Sequence, residues 1–267
     1  MICFPNAKIN LGLHVVGKRA DGYHNIESVF YPVPVKDALE IVPSSAFSFR
    51  QSGIVLDTAP EDNLVLKALN LFKANCPVPP SAIYLRKVIP FGAGLGGGSA
   101  DAAFMLKLLN AYADARLSVA ELEAMAAGIG ADCPFFIRNR PVIVSGTGTL
   151  FEPVELSLKG YTLCIVKPEI SVSTKEAYSL VRPAVPSRSL TEIISTPLSD
   201  WKNQLVNDFE PSIFRLHPVI RRIKEQLYAQ GAVYAAMSGS GSSVFGLFEK
   251  DAPLVFPDYF VWKGTLE

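Results

Sequence analysis

Apolar and polar residues alternate along residues 8–17, KINLGLHVVG, where Ile9, Leu11, Leu13 and Val15 share one face. That period predicts a half-buried strand. The following KRADGYHN breaks it with Asp21-Gly22, a hairpin-turn signal. Strand character returns in IESVFYPVPV, ALEIVPS and SAIYLRKVI. Leu64, Ala68, Leu71 and Phe72 stand at helical spacing, as do Ala102, Met105, Leu106 and Leu109. Ser118 and Glu121 have capping-box spacing and predict a helix through about Gly128. PVIVSGTGTLFEPV then reads as strand.

The pattern restarts with a strand at YTLCIVKP, a short helix at STKEAYSLV and a second capping box at Ser189 and Glu192. LHPVIRRIKEQLYAQG predicts a helix closed by Gly231, and AVYAAMSGSGSSVFGLFE a strand, a glycine-serine turn and another strand. Hairpins mixed with helices predict an α+β chain rather than a doubly wound sheet. We place the boundary between its two domains, 1–153 and 154–267, near residue 153.

Composition narrows the function. Of 267 residues, 49% are hydrophobic, enough for a sizeable core. The 25 basic and 25 acidic residues cancel, which argues against a nucleic-acid-binding surface. No apolar run approaches the ~20 residues of a membrane span. Pro5, Asn6 and Lys8 interrupt the region where a secretory signal is apolar. Cys3, Cys76, Cys133 and Cys164 are scattered, without a CxxC pair, so the expected compartment is the reducing cytoplasm.

The densest chemistry lies in PFGAGLGGGSADAA, Pro90–Ala103. Gly92, Gly94 and Gly97 match GxGxxG by letter, but the dinucleotide fold needs a second strand ending in an acidic residue, and a helical pattern follows here. A P-loop needs Gly-Lys-Ser/Thr, and Gly98-Ser99-Ala100 lacks the lysine. Two readings remain. One is a tight strand-to-helix turn. The other is a phosphate cradle of bare amides at the start of a helix from about Ser99. Five glycines within Gly92–Gly98 favour the cradle, since a turn needs one or two.

The run Pro90-x-x-x-Gly94-Leu95-Gly96 followed by Gly-Gly-Ser resembles the second motif of the GHMP kinases, a family of small-molecule kinases. PNAKINLGL resembles the family's first motif and MSGSGSSVFGLF its third, in family order. The resemblance implies ATP with Mg2+, and a two-domain fold with an N-terminal S5-like and a C-terminal ferredoxin-like α+β domain. It assigns the ATP site to Pro90, Gly92, Gly94, Leu95, Gly96, Gly97, Gly98, Ser99, Ala100 and Asp101, with Lys87, Asn63 and Leu64 near the adenine or ribose. Ala100 stands where many members carry a second serine.

By spacing alone Asp132 reads as a helix N-cap before Pro134, and Lys8 as a solvated lysine at a strand start. The resemblance makes them the catalytic pair, the carboxylate taking the hydroxyl proton and the cation supporting the phosphoryl charge. Ser99 reads equally as a magnesium ligand or a helix N-cap. Asp101 is expected to point away from the phosphates. The finer letters of PNAKINLGLHVVGKRADGYHNIESVF and GADCPFFI resemble a branch of the family whose alcohol carries a cytidine diphosphate. That branch places Asn10, Tyr23, His24, Thr174 and Tyr178 on the substrate, with Tyr23 and Tyr178 as the two stacking rings and His24 at the base edge. The alternative is a family member acting on homoserine or a mevalonate derivative. The expected assembly is a monomer or weak homodimer, without nucleic-acid or membrane partners.

Overall fold

The structure, a computed structural model, describes residues 1–54, 62–250 and 253–267. Its first half holds strands β1 (Ile2–Cys3), β2 (Asn6–Lys18), β3 (His24–Lys36), β4 (Ala38–Pro43), β5 (Ser48–Gly53) and β6 (Ser81–Lys87). Helix α1 (Leu64–Asn75) precedes β6, and α2 (Gly97–Tyr112), α3 (Val119–Ala127) and α4 (Cys133–Arg138) follow it. Next come β7 (Val142–Ser145), β8 (Leu150–Pro153), β9 (Thr162–Lys167), α5 (Thr174–Leu180), α6 (Leu190–Ile194), a 3-10 helix (Leu198–Asn203) and α7 (Glu210–Leu216). The chain closes with α8 (Pro218–Ala229), β10 (Tyr234–Met237), β11 (Val244–Phe248) and β12 (Phe260–Thr265).

These elements form two compact units. The first comprises Met1–Ala7, Val35–Phe91 and Gly96–Arg140, the second Lys8–Pro34, Gly92–Leu95 and Pro141–Glu267. In the first, β1, β4, β6 and β5 pair in that order, β5 running parallel to β6 and the other neighbours antiparallel. Helix α2 packs on α1 and α4, and α3 on α4. The α2 stripe of Ala102, Met105, Leu106 and Leu109 is fully buried, as its spacing predicts. The capping box at Ser118 and Glu121 is formed.

The second unit holds two sheets, ordered β2-β3-β7-β8 and β10-β11-β9-β12. Ile220, Ile223 and Leu227 put one face of α8 against β10 and β11, in a cluster with Cys164, Val166, Met237 and Val244. The helix ends as expected at Gly231 (φ 97°), with the Ala232 and Gly231 amides donating to Leu227 and Tyr228. Its start differs. The run predicted from Leu216 breaks at His217 (φ −125°, ψ 75°), because a residue before proline is pushed out of the α region. The edge strands β5 and β12 carry no clean apolar alternation, and the sequence pattern leaves them unassigned.

Candidate active site

In the first unit the glycine run resolves into the start of α2. The helix begins at Gly97, two residues before the predicted start. Its N-cap is Gly96, in the left-handed region (φ 70°), with no side-chain capping bond. Glycine takes that conformation without the Cβ clash other residues incur. Ser99 is therefore not the N-cap. It sits inside the first turn, and its side chain hydrogen-bonds Cys133, whose thiol burial pushes up to about 11. Ala100 is fully buried.

The glycines divide by what surrounds them. A Cβ on Gly97 would stand 2.8 Å from Ile89 Cγ2, so packing demands glycine there. A Cβ on Gly98 would meet only Leu64 Cδ1, at an ordinary 3.5 Å. Glycine inside a helix costs about 1 kcal/mol relative to alanine. Packing supplies no return for that cost at Gly98. The bare first-turn amides there leave room for an approaching group, with Leu64 beside it.

Asn63 caps α1, its Oδ1 accepting from Val65 N at 2.9 Å while its Nδ2 donates to Gln51. Lys87 is neither solvated nor open to a base: its side chain is 2% exposed. The ammonium donates to Asp37 and, at 2.6 Å, to Asp101 Oδ2. Asp101 does turn away from the first-turn amides, but its partner is this lysine. Burial, only partly offset by Lys87, pushes the Asp101 carboxyl up to about 8. Asp132 occupies the N-cap position of α4, yet its side chain makes no capping bond. Phe135 and Phe136 meet edge to face in the turn behind it.

The second unit contains Lys8, Asn10, Tyr23, His24, Thr174 and Tyr178, together with Gly92, Gly94 and Leu95. Lys8 is buried rather than solvated. Its Nζ donates to Asn10 Oδ1 at 2.5 Å and lies 4.4 Å from the Phe30 ring centre. Asn10 Nδ2 donates to Ser28 Oγ at 2.9 Å, so both ends of the amide are engaged and Asn10 orients Lys8. The Lys8 amide donates to Leu95 O, tying β2 to the glycine loop.

The third motif braces the same loop. Ser238 Oγ donates to Gly94 O at 2.8 Å, and the Ser243 amide donates to Ala93 O. A Cβ on Gly94 (φ 72°) would fall 1.9 Å from Ser238 O, so this glycine serves the close approach of two backbones. Sequence reading had no means to find Ser28 or Ser238 as supports, since their partners lie far along the chain.

Asp21 accepts from the Tyr23 amide in the hairpin turn, and Gly22 has φ 87°. Tyr23 is 68% exposed. His24 stacks on Tyr178, ring centres 5.0 Å apart and planes at 22°. Thus the ring stacked on Tyr178 is His24, while Tyr23 is exposed. Consecutive residues at a strand start point to opposite faces, and His24 shares its face with the buried Ile26. Phe209 meets Tyr178 edge to face at 4.9 Å. Exposed Thr174 lies one helical turn before Tyr178 on α5. Among the described residues no cluster of three His, Cys, Asp or Glu could hold a metal, and no helix is long and apolar enough to cross a membrane.

Comparison with known proteins places the chain in a family. Residues 63–140 match the GHMP kinases N terminal domain and residues 192–256 the GHMP kinases C terminal domain. The chain is 64% identical, over the full length of both, to 4-diphosphocytidyl-2-C-methyl-D-erythritol kinase of Parabacteroides distasonis. It is 50% identical over the full length of both to the protein of that name from Porphyromonas gingivalis. A crystal structure of 4-(cytidine 5'-diphospho)-2C-methyl-D-erythritol kinase superposes with a TM-score of 0.85 at 32% identity, covering 100% of this chain and 99% of the other. Mevalonate kinase of Methanococcus jannaschii shares the fold, at TM-score 0.70 and 15% identity over 100% and 98% of the two chains.

Proposed function

The chain belongs to the GHMP kinases and, within them, to the 4-diphosphocytidyl-2-C-methyl-D-erythritol kinases, and on that basis we propose how its residues perform the transfer. It moves the γ-phosphate of ATP to the 2-hydroxyl of 4-diphosphocytidyl-2-C-methyl-D-erythritol, a step of the non-mevalonate route to isoprenoid precursors. The observation that carries the nucleotide assignment is the start of α2. Its N-cap is a left-handed glycine without a capping side chain, and Gly98 is bare for no packing reason. First-turn amides and the helix dipole suit a phosphate there. The family models fall on either side of residue 153, which supports a nucleotide-binding half at 1–153 and a C-terminal half at 154–267.

The substrate hydroxyl oxygen forms a bond to the γ-phosphorus as the bond to the ADP oxygen breaks. Asp132, at the N-cap position of α4, takes the hydroxyl proton and later releases it to solvent. Lys8, aimed by Asn10, stabilises the charge on the transferring phosphoryl group. Mg2+ accompanies the nucleotide and neutralises phosphate charge when bound. Ser99, in the first turn of α2, would hold it through its hydroxyl oxygen, exchanging its contact with Cys133, and a hard cation of this kind would keep most of its water.

Tyr178 supplies a stacking surface for the cytosine, with Tyr23 as the second ring and His24 as the group at the base edge. The His24 ring marks the face of Tyr178 that a base would take over. Thr174 reaches the diphosphate side from the start of α5. The unpaired thiols fit a cytoplasmic enzyme, and we expect a monomer or weak homodimer. A coupled assay with ATP, Mg2+ and a panel of alcohols tests the reading. Turnover of the cytidine-bearing alcohol above homoserine and mevalonate supports it, and preference for an alcohol without cytidine overturns it.

A further inference from the structure

The Lys87 side chain takes no part in the transfer described above, yet it is as completely enclosed as Lys8. Its side chain is 2% exposed, and those of Asp37 and Asp101 are 0% and 3% exposed. Each partner reaches a different end of the glycine loop. Asp37 Oδ1 accepts from the amides of Val88 and Ile89, the residues that lead from β6 into the loop. Asp101 belongs to α2, which leaves it. The ammonium also lies directly under the first residue of the helix: a Cβ on Gly97 would be 3.4 Å from Nζ.

From this geometry we infer that Lys87, with Asp37 and Asp101, is a positioning residue for nucleotide binding: it fixes the entry and exit of the glycine loop and aims the first-turn amides of α2. The inference rests on the assignment of ATP to that helix start. An anion cradle made of backbone has no side chain to adjust, so its affinity depends on where the backbone is held. Loop closure by flexible glycines would otherwise leave the helix start free to shift. Lys87 supplies the rigid tie through a cation that two carboxylates enclose. Direct reading of the adenine by this ammonium does not fit, because two of its three N–H groups are held by buried carboxylates and its surface is covered.

The test compares wild type with Lys87→Gln, Asp101→Asn and the double variant Lys87→Gln/Asp101→Asn, by melting temperature, kcat and the KM of each substrate. Lys87→Gln leaves two buried carboxylates without their cation. Its KM for ATP should rise by roughly 10- to 100-fold, the cost of displacing a binding group by about an ångström, while KM for the alcohol stays within about twofold. Adding Asp101→Asn removes one of the two stranded charges and should recover part of the melting temperature, while KM for ATP stays raised because the tie is still absent.

A Lys87→Gln protein that melts lower but keeps its KM for ATP shows a packing role only, and overturns the inference. Loss of preference for ATP over GTP in the Lys87 variants shows that Lys87 reads the base and also overturns it. Should Lys87→Gln not fold, the double variant decides alone: a raised KM for ATP at an unchanged KM for the alcohol supports the tie, and a near-normal KM for ATP or a lost ATP-over-GTP preference refutes it. Gly98→Val is the control for the underlying assignment. An unchanged KM for ATP in that variant removes the nucleotide from α2 altogether, whereas lost ATP affinity there with unchanged KM in the Lys87 variants defeats only the tie.

Discussion

The start of α2 and the start of α5 present opposite kinds of surface. At α2 the chain offers backbone: a left-handed Gly96, the amides of the first turn, and a Gly98 with room for a Cβ that is not there. At α5 it offers side chains, with the Tyr178 ring stacked by His24 and braced by Phe209. A phosphate has charge and little shape, so aligned donors suffice. A nucleobase has two apolar faces and a patterned edge, so rings and fixed polar groups are needed. On the proposed reading the contrast means that the two nucleotides are recognised by unrelated means, so damage at one end should leave the other intact.

The largest effect is expected where neither surface is touched. Asp132→Asn keeps the shape of the carboxylate and removes the base, so kcat should fall by roughly 10²- to 10⁴-fold with both KM values little changed. A folded variant with near-normal kcat would remove Asp132 from the proton transfer. Next comes the backbone surface. Gly96→Val forces a branched residue to φ 70° and intrudes on the cradle, so ATP affinity measured by calorimetry should drop by roughly 100-fold or more. Equal loss of alcohol affinity would break the separation of the two ends.

The aromatic surface should respond in the opposite sense. Tyr178→Ala removes one stacked ring, worth about 1–3 kcal/mol, and should raise the alcohol KM by roughly 5- to 150-fold at unchanged KM for ATP. Circular dichroism must accompany it, because Tyr178 also packs on Phe209. The smallest change belongs to Tyr178→Phe. Stacking needs the ring and not the hydroxyl, so less than about a twofold shift in alcohol KM is expected. A tenfold shift would show that the hydroxyl, rather than the ring face, recognises the base.

The same contrast governs what could be read from the chain. The α2 surface is contiguous in sequence, so its glycines announced it. Only the helix start was misplaced, because the pattern looked for a polar cap at Ser99 and the chain uses a left-handed glycine instead. The α5 surface joins residues that are distant in sequence, and no local period connects His24 to Tyr178. Family resemblance named both residues, but strand alternation decides which of Tyr23 and His24 faces Tyr178. The Lys87 tie was illegible for a further reason. Its three members sit on separate segments, and an isolated lysine at the end of β6 carries no mark of burial. The apolar stripes of α2 and α8 were plain in the sequence because each packs one face continuously.

The central claim is the identity of the acceptor, and a single kinetic comparison tests it most directly. Purified enzyme with ATP and Mg2+ is given 4-diphosphocytidyl-2-C-methyl-D-erythritol, homoserine and mevalonate in turn, and kcat/KM is measured for each. The account predicts that the cytidine-bearing alcohol is favoured and that CDP competes with it more strongly than UDP. Higher kcat/KM for either cytidine-free alcohol, with no inhibition by CDP, would contradict it.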